Sequence, residues 1–244
     1  MHNPKNSNTK GKLRPYTRRD FIKHSGTVIF VMGSGLYLPS KYGCADPADP
    51  DGTPDEIPAS RGYLLVDVRK CQGCMSCMLA CSLVHEGVAN LSLSRIQITQ
   101  NPFESFPHDV GVAQCRQCTA PACVNACPEG ALHADPEFGH VRVVDHSKCI
   151  GCGACFEACP FTPSRITPPA GTDDDAETKF RKCDLCADTP YHWDTRGGGP
   201  AGNQACAEIC PVGAILFTPE IPRQDGDKGY RVDLRGKGWR QLGY

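Results

Sequence analysis

Aromatic side chains are scarce in this chain, at 7% of its residues, and long aliphatic runs are scarcer still. With so little bulky apolar material, its 244 residues can hold one or two small domains but cannot rest them on a hydrocarbon core alone. No run of 18 apolar residues occurs, so a membrane anchor is expected on another polypeptide. Cys-x-x-Cys-His is missing, which excludes attachment of a c-type haem. A basic surplus is missing too. The formal net charge is -1, and outside residues 1–45 there are 18 bases against 26 acids, which counts against a nucleic-acid partner. The single Gly-x-Gly-x-x-Gly match, Gly197, Gly199 and Gly202, follows no strand pattern and contains Pro200, so it is not read as a nucleotide site.

What the chain has in excess is cysteine. Sixteen of its 17 cysteines fall between positions 71 and 210 in four groups of four. The first reads Cys71-x2-Cys74-x2-Cys77-x3-Cys81 and the third repeats it as Cys149-x2-Cys152-x2-Cys155-x3-Cys159. The second, Cys115-x2-Cys118-x4-Cys123-x3-Cys127, is the same frame lengthened by two residues. The fourth, Cys183-x2-Cys186 with Cys206-x3-Cys210, holds the frame around a long insertion. Sixteen thiols divide evenly among four [4Fe-4S] clusters, each cluster taking one thiolate per iron. Disulfides have no reason to repeat such spacing, and cysteines this close in a tight loop do not reach bridge geometry with one another. A zinc knuckle needs only two close cysteines, whereas groups one and three each put three in one loop; a zinc-binding structural module stands as the alternative from another class. Gly (25) and Pro (21) are plentiful, so much of the backbone is loop, and inorganic clusters would staple it.

Residues 1–45 read as a twin-arginine signal peptide. Arg18 and Arg19 precede Asp20-Phe21-Ile22 and a short apolar stretch over 27–38, too short for a bilayer that needs about twenty residues. That export route carries folded proteins, which suits clusters inserted before export, and places the protein in the periplasm or on the outer face of the cytoplasmic membrane. Cleavage after Ala45 would discard Cys44, and lipid modification of Cys44 is a second option. Residues 46–61 form a polar linker, 62–218 the cluster domain and 219–244 a polar, Gly-rich tail. Within the domain, strands are expected over 63–68, 94–99 and 214–217, a short helix over 78–84, another opening at Pro121, and a hairpin of 131–134 with 140–144 about Gly139. Residues 101–109 read as a loop and 163–179 as a surface excursion. His85, His140 and His146, near the cysteine loops, read as solvated or capping side chains.

A loop with cysteine at every third position wraps three corners of a cubane and turns backbone N-H groups toward the sulfides, so the small residues Gly73, Ser76, Ala120, Gly151 and Gly153 suit it. The fourth cysteine of each group points away from its own three. In two-cluster ferredoxins it binds the neighbouring cluster, which would join Cys127 to Cys149, Cys152 and Cys155, and Cys159 to Cys115, Cys118 and Cys123. Proline follows that cysteine at Pro128, Pro160 and Pro211, while group one has Ser82 instead.

On Arg116-Gln117-Cys118 with Ala122-Cys123, Lys148-Cys149-Ile150-Gly151-Cys152 and Lys182-Cys183-Asp184-Leu185-Cys186, the chain resembles the four-cluster iron-sulfur subunits that accompany molybdopterin enzymes such as dimethyl sulfoxide reductase and formate dehydrogenase. Gln72-Gly73-Cys74, Ser94-Arg95-Ile96 and Asn101-Pro102-Phe103 are similar to the branch associated with aldehyde oxidoreductase-type tungsten or molybdenum enzymes. The resemblance implies an α+β fold of two pseudo-symmetric bacterial 2[4Fe-4S] ferredoxin-like units with long loops, an inner one over 113–167 and an outer one of 62–100 plus 180–218. It further implies that Cys210 completes the set of Cys71, Cys74 and Cys77, and Cys81 that of Cys183, Cys186 and Cys206.

With every iron saturated by cysteine, no site is left for a substrate. The expected role is electron transfer without catalysis, between a pterin-containing catalytic subunit and a membrane quinone-linked or cytochrome partner. A free-standing polyferredoxin-like carrier is the alternative within the same chemistry.

Overall fold

Short strands and short helices alternate with the cysteine loops in the computed structural model, which describes residues 57–106, 108–169 and 178–241. Arg18, Arg19, Cys44 and most of the 46–61 linker lie outside the described residues. The elements run β1 (Tyr63–Val66), α1 (Ser76–Glu86), β2 (Gln97–Gln100), β3 (Val110–Ala113), α2 (Ala122–Asn125), β4 (Leu132–Asp135), β5 (Val141–Val144), α3 (Ala154–Glu157), β6 (Ile166–Thr167), β7 (Arg181–Lys182), α4 (Ala205–Glu208), β8 (Ile215–Thr218) and α5 (Lys237–Gln241). The strands form four two-stranded antiparallel sheets, β1-β8, β2-β3, β4-β5 and β6-β7.

Sequence order and spatial order differ at the outer unit. β1 pairs with β8 across the whole domain, Tyr63 opposite Thr218 and Val66 opposite Ile215, and α1 packs against α4. The inner unit is local: β4 and β5 make the hairpin expected around Gly139, and α2 packs against α3. Two-stranded sheets this short are unstable alone; here they lie over a core of Leu64, Val66, Met78, Ile96, Ile98, Val141, Leu185 and Ile215, into which the thiols of Cys77, Cys81 and Cys206 are built. α1 follows the first cysteine loop and stops at Gly87, whose left-handed backbone (φ 72°) turns its N-H onto Leu83 O.

Four expectations need amending. The strand placed at 94–99 begins only at Gln97, because the Ser94 hydroxyl bonds Ile96 O at 2.6 Å and holds 94–96 in a local turn outside the ladder. Residues 101–106 and 108–109 are the loop expected, but it lies at the tip of a hairpin whose second strand, β3, is an addition. Part of the 163–179 stretch is buried and paired, Ile166 opposite Lys182 and Thr167 opposite Arg181, with Arg165, Ile166 and Thr167 all shielded. The polar stretch after 218 folds back on the domain: Tyr230 is 1% exposed, Arg231 bridges Val66, and Val232 N donates to Val66 O at 3.1 Å. Leu234 N donates to Asp67 Oδ2 at 2.8 Å, and Asp227 sits between Arg116 (2.7 Å) and Arg165 (2.8 Å). A polar composition hid the return because ion pairs, and one tyrosine, hold it.

Candidate metal centres

Each cysteine loop turns through a left-handed residue just before its second cysteine: Gly73, Gln117, Gly151 and Leu185, with φ between 48° and 71°. Such a turn gathers successive N-H groups on its concave side, the arrangement that binds anions. At Gly151 a side chain is excluded as well, since a Cβ would lie 2.5 Å from Thr178 O. Gln117 and Leu185 accept the strained conformation because burial fixes them, and the Gln117 amide bonds Cys183 O (2.8 Å) and takes Arg142 N (2.9 Å).

The sixteen cysteines come together in four quartets. Cys71, Cys74, Cys77 and Cys210 ring one void beneath Val66, Ile98 and Ile215. Cys127, Cys149, Cys152 and Cys155 ring another beside Leu132 and Phe180. Cys118 and Cys123 lie within the field of Cys115 and Cys159, and Cys206 within that of Cys186, Cys183 and Cys81. The quartets also follow one another. Cys206 neighbours Cys77, Cys183 neighbours Cys115, and Cys155 neighbours Cys123. At the two ends of that series one thiol is exposed, Cys74 and Cys152, while Cys81, Cys186 and Cys206 near the middle are buried.

One hydrogen bond recurs in all four quartets. The sulfur of each fourth cysteine accepts a backbone N-H from residues downstream: Cys81 from Arg95 (3.4 Å), Cys127 from Leu132 (3.4 Å), Cys159 from Arg165 (3.3 Å) and Cys210 from Ala214 (3.2 Å). These donors favour a sulfur that carries negative charge. Protons oppose that charge in most places. Burial first, and the charges of nearby sulfurs after it, push the Cys77 and Cys183 thiols up to about 12. Cys118 and Cys155 rise to about 11 for the same two reasons. Crowded, buried thiols with N-H donors aimed at them fit a cationic iron cluster, which holds them as thiolates.

Cys81 is the exception. Burial pushes it up, yet His85 and Arg95 outweigh burial and hold its thiol below the ordinary value. His85 is not the solvated or capping residue expected: it is 7% exposed, with Nδ1 2.7 Å from Cys81 O and 3.8 Å from Cys81 Sγ. Its Nε2 lies 2.9 Å from Asp184 Oδ1, whose other oxygen takes Arg95 at 2.7 Å. Burial pulls the ring down, but Asp184 and Cys81 lift it to about 10. Burial raises the Asp184 carboxyl, and Arg95 and His85 return it well below the usual carboxylate range. His140 and His146 are half-buried. The sequence reading missed Arg95, Lys182 and Asp184 as members of the site. The signal was present in Lys182-Cys183-Asp184, two charges flanking the first cysteine of a loop where small residues suffice.

Fold and site together define a ferredoxin-type iron-sulfur protein. Residues 108–220 match the 4Fe-4S dicluster domain and residues 69–84 a 4Fe-4S binding domain, so all sixteen cysteines of the four quartets lie inside a match. The chain is 33% identical over 232 residues to the uncharacterized ferredoxin-like protein YdhX of Escherichia coli O157:H7, covering 91% of each protein. It is 41% identical over 150 residues to the aliphatic sulfonate oxidoreductase polyferredoxin-like subunit of Pyrococcus furiosus, covering 62% of this chain and 72% of that one. To the thiosulfate reductase electron transfer subunit PhsB of Salmonella typhi it is 34% identical over 172 residues, covering 68% and 81%. The chain belongs to the 4Fe-4S dicluster ferredoxin family.

Proposed function

We propose that the chain is the electron-transfer subunit of an exported oxidoreductase complex and holds four [4Fe-4S] clusters in line. Cluster A would be held by Cys71, Cys74, Cys77 and Cys210, and cluster B by Cys81, Cys183, Cys186 and Cys206. Cluster C would be held by Cys115, Cys118, Cys123 and Cys159, and cluster D by Cys127, Cys149, Cys152 and Cys155. The observation that supports this is that each quartet lies within the field of the next, with an exposed thiol at each end, at Cys74 and Cys152. When bound, such clusters supply one-electron exchange at potentials set by their surroundings. The protein's part is to hold the thiolates, donate N-H groups to their sulfurs, exclude water from the middle of the series and leave its ends open.

Two partners follow from two open ends: a pterin-containing catalytic subunit and a membrane quinone-linked or cytochrome subunit. Relatives named as subunits of thiosulfate reductase and of aliphatic sulfonate oxidoreductase support a place in such a complex. Membership would be of the pseudo-symmetric kind, the outer unit repeating the inner one. Export rests on Arg18 and Arg19. Among the described residues no helix is long and apolar enough to cross a membrane.

Anaerobic purification tests this reading. The expected result is about four irons per quartet and as many sulfides, with the broad visible absorbance of cubanes. Cys152→Ser should alter one paramagnetic component and leave the others. A colourless protein with zinc in place of iron would sink the proposal, and a loaded protein that never copurifies with a catalytic subunit would reduce it to a free carrier.

A further inference from the structure

Lys182 lies where the outer and inner units meet, and it is out of water: 3% of the residue is exposed. The two-residue strand β7 fixes its position, opposite Ile166 on β6. Its Nζ donates to Arg142 O at 3.0 Å and to Cys183 O at 3.1 Å, and the Cys115 sulfur is among the groups whose charge bears on it. Among the described residues no carboxylate forms an ion pair with it; the anionic groups that bear on it are the sulfurs of Cys115, Cys123 and Cys183.

A buried ammonium is costly unless an opposite charge accompanies it. Two carbonyls would be served as well by an uncharged amide, so hydrogen bonding alone does not account for a lysine here. Neutral thiols would not compensate it either. Compensation exists once Cys115 and Cys123 on one side and Cys183 on the other are held permanently as thiolates. The cation therefore belongs to the loaded protein, and it stands at the junction where Cys183 of one quartet neighbours Cys115 of the next.

We propose that Lys182 is a built-in counter-cation for the cluster held by Cys115, Cys118, Cys123 and Cys159, raising its reduction potential above what the same four thiolates would give alone. A fixed positive charge against the sulfurs stabilises the state that has gained an electron more than the state that has not. The charge of Lys182 bears on Cys118 and Cys123 of this quartet too. Lys182 is a positioning residue, acting on the potential through the thiolates it touches. The inference rests on the four-cluster reading above.

The test is a redox titration, followed by paramagnetic resonance, of the full-length loaded protein and of Lys182→Gln, Lys182→Met and Lys182→Arg, with iron measured in each. Cys118→Ser identifies which component belongs to this quartet. In the Gln and Met variants that component should be about tenfold less reduced at the wild-type midpoint, a fall of about 60 mV for a one-electron couple. Lys182→Arg should leave it near the wild-type value. Loss of iron from both neutral variants with Arg fully loaded also supports the proposal, since it shows the cation is needed at that quartet. An unchanged midpoint in fully loaded Lys182→Gln overturns it, as does an Arg variant that falls as far as Met or loses iron with the others. Wild-type protein without four separable clusters would defeat the functional reading first, and that outcome is distinct from either of these.

Discussion

Asp184 shows how much one side chain in a cysteine loop can carry. Its two oxygens receive His85 at 2.9 Å, Arg95 at 2.7 Å and the N-H groups of Cys186 (3.0 Å) and Asp188 (3.4 Å). The carboxylate is 3% exposed, as an ion pair must be to matter, and removing one partner from such a group costs about 3–5 kcal/mol. Asp184→Asn should therefore lower the guanidinium concentration at which the visible iron-sulfur absorbance is lost. Adding His85→Gln should recover part of that loss, because it withdraws the cation that loses its carboxylate, whereas Arg95 keeps Glu86 at 3.7 Å. If the single variant is as resistant as wild type, the carboxylate is not what holds this corner. Arg95 joins two roles, since its guanidinium meets Asp184 while its backbone N-H meets Cys81 Sγ at 3.4 Å. The charges of Lys182 and Asp184 beside Cys183 stand out in the sequence, but their partners do not. An isolated Asp or His between cysteines has the pattern of a solvated loop residue, and only the fold brings positions 85, 95 and 184 together. The cysteines were readable because their spacing repeats, and repetition is information that a lone residue does not have.

Elements were legible in proportion to their local signal. β4 and β5 have alternating apolar residues around a glycine turn, and both lie where expected. β6 and β7 have two residues each, too few for any period, and β3 is broken by Gly111, so nothing marked them. The stretch from 219 to 235 had a composition but no pattern. Its anchor is Asp227, gripped by Arg116 and Arg165, with Tyr230 packed under the Arg116 guanidinium 4.9 Å away. Burial raises the Asp227 carboxyl, but the two arginines outweigh it and hold it below the usual range. A carboxyl depressed in the folded state adds stability that is fully present above its unfolded value of about 4 and is lost as pH falls through the folded one. The anchor should thus hold unchanged across neutral pH. Asp227→Ala removes two charge-assisted bonds of about 1.5–3 kcal/mol each and leaves two buried arginines facing each other. Limited proteolysis at neutral pH should then cut within 219–235 faster than in wild type, with the iron content unchanged. Equal cutting rates would mean that the Val66 and Asp67 contacts hold this stretch without Asp227.

The molecule as a whole inverts the usual relation between core and cofactor. Its apolar cluster is small, thiols are part of it, and one of its sheets, β1-β8, joins segments that all the cysteine loops separate. β1 and β8 meet where the first and fourth cysteine groups lie together, Cys210 near Cys77 and Cys81 near Cys206. Without metal, Cys77, Cys183, Cys186 and Cys206 would sit together as neutral thiols that contribute only modest apolar contact, and the N-H donors aimed at the sulfurs would lose their charged acceptors. Binding free energy at such sites is folding free energy. Removing iron anaerobically with a chelator and a reductant should therefore unfold the outer unit first, because its elements are held across the full length of the domain, whereas β4 and β5 are joined by a local turn. Hydrogen exchange on the iron-depleted chain is expected to show protection lost at 63–66 and 215–218 while some persists at 132–144. Uniform loss at both would mean that the inner hairpin depends on metal as strongly as the outer sheet does, and retained protection at 63–66 would mean that the polypeptide, not the clusters, brings the two ends of the domain together.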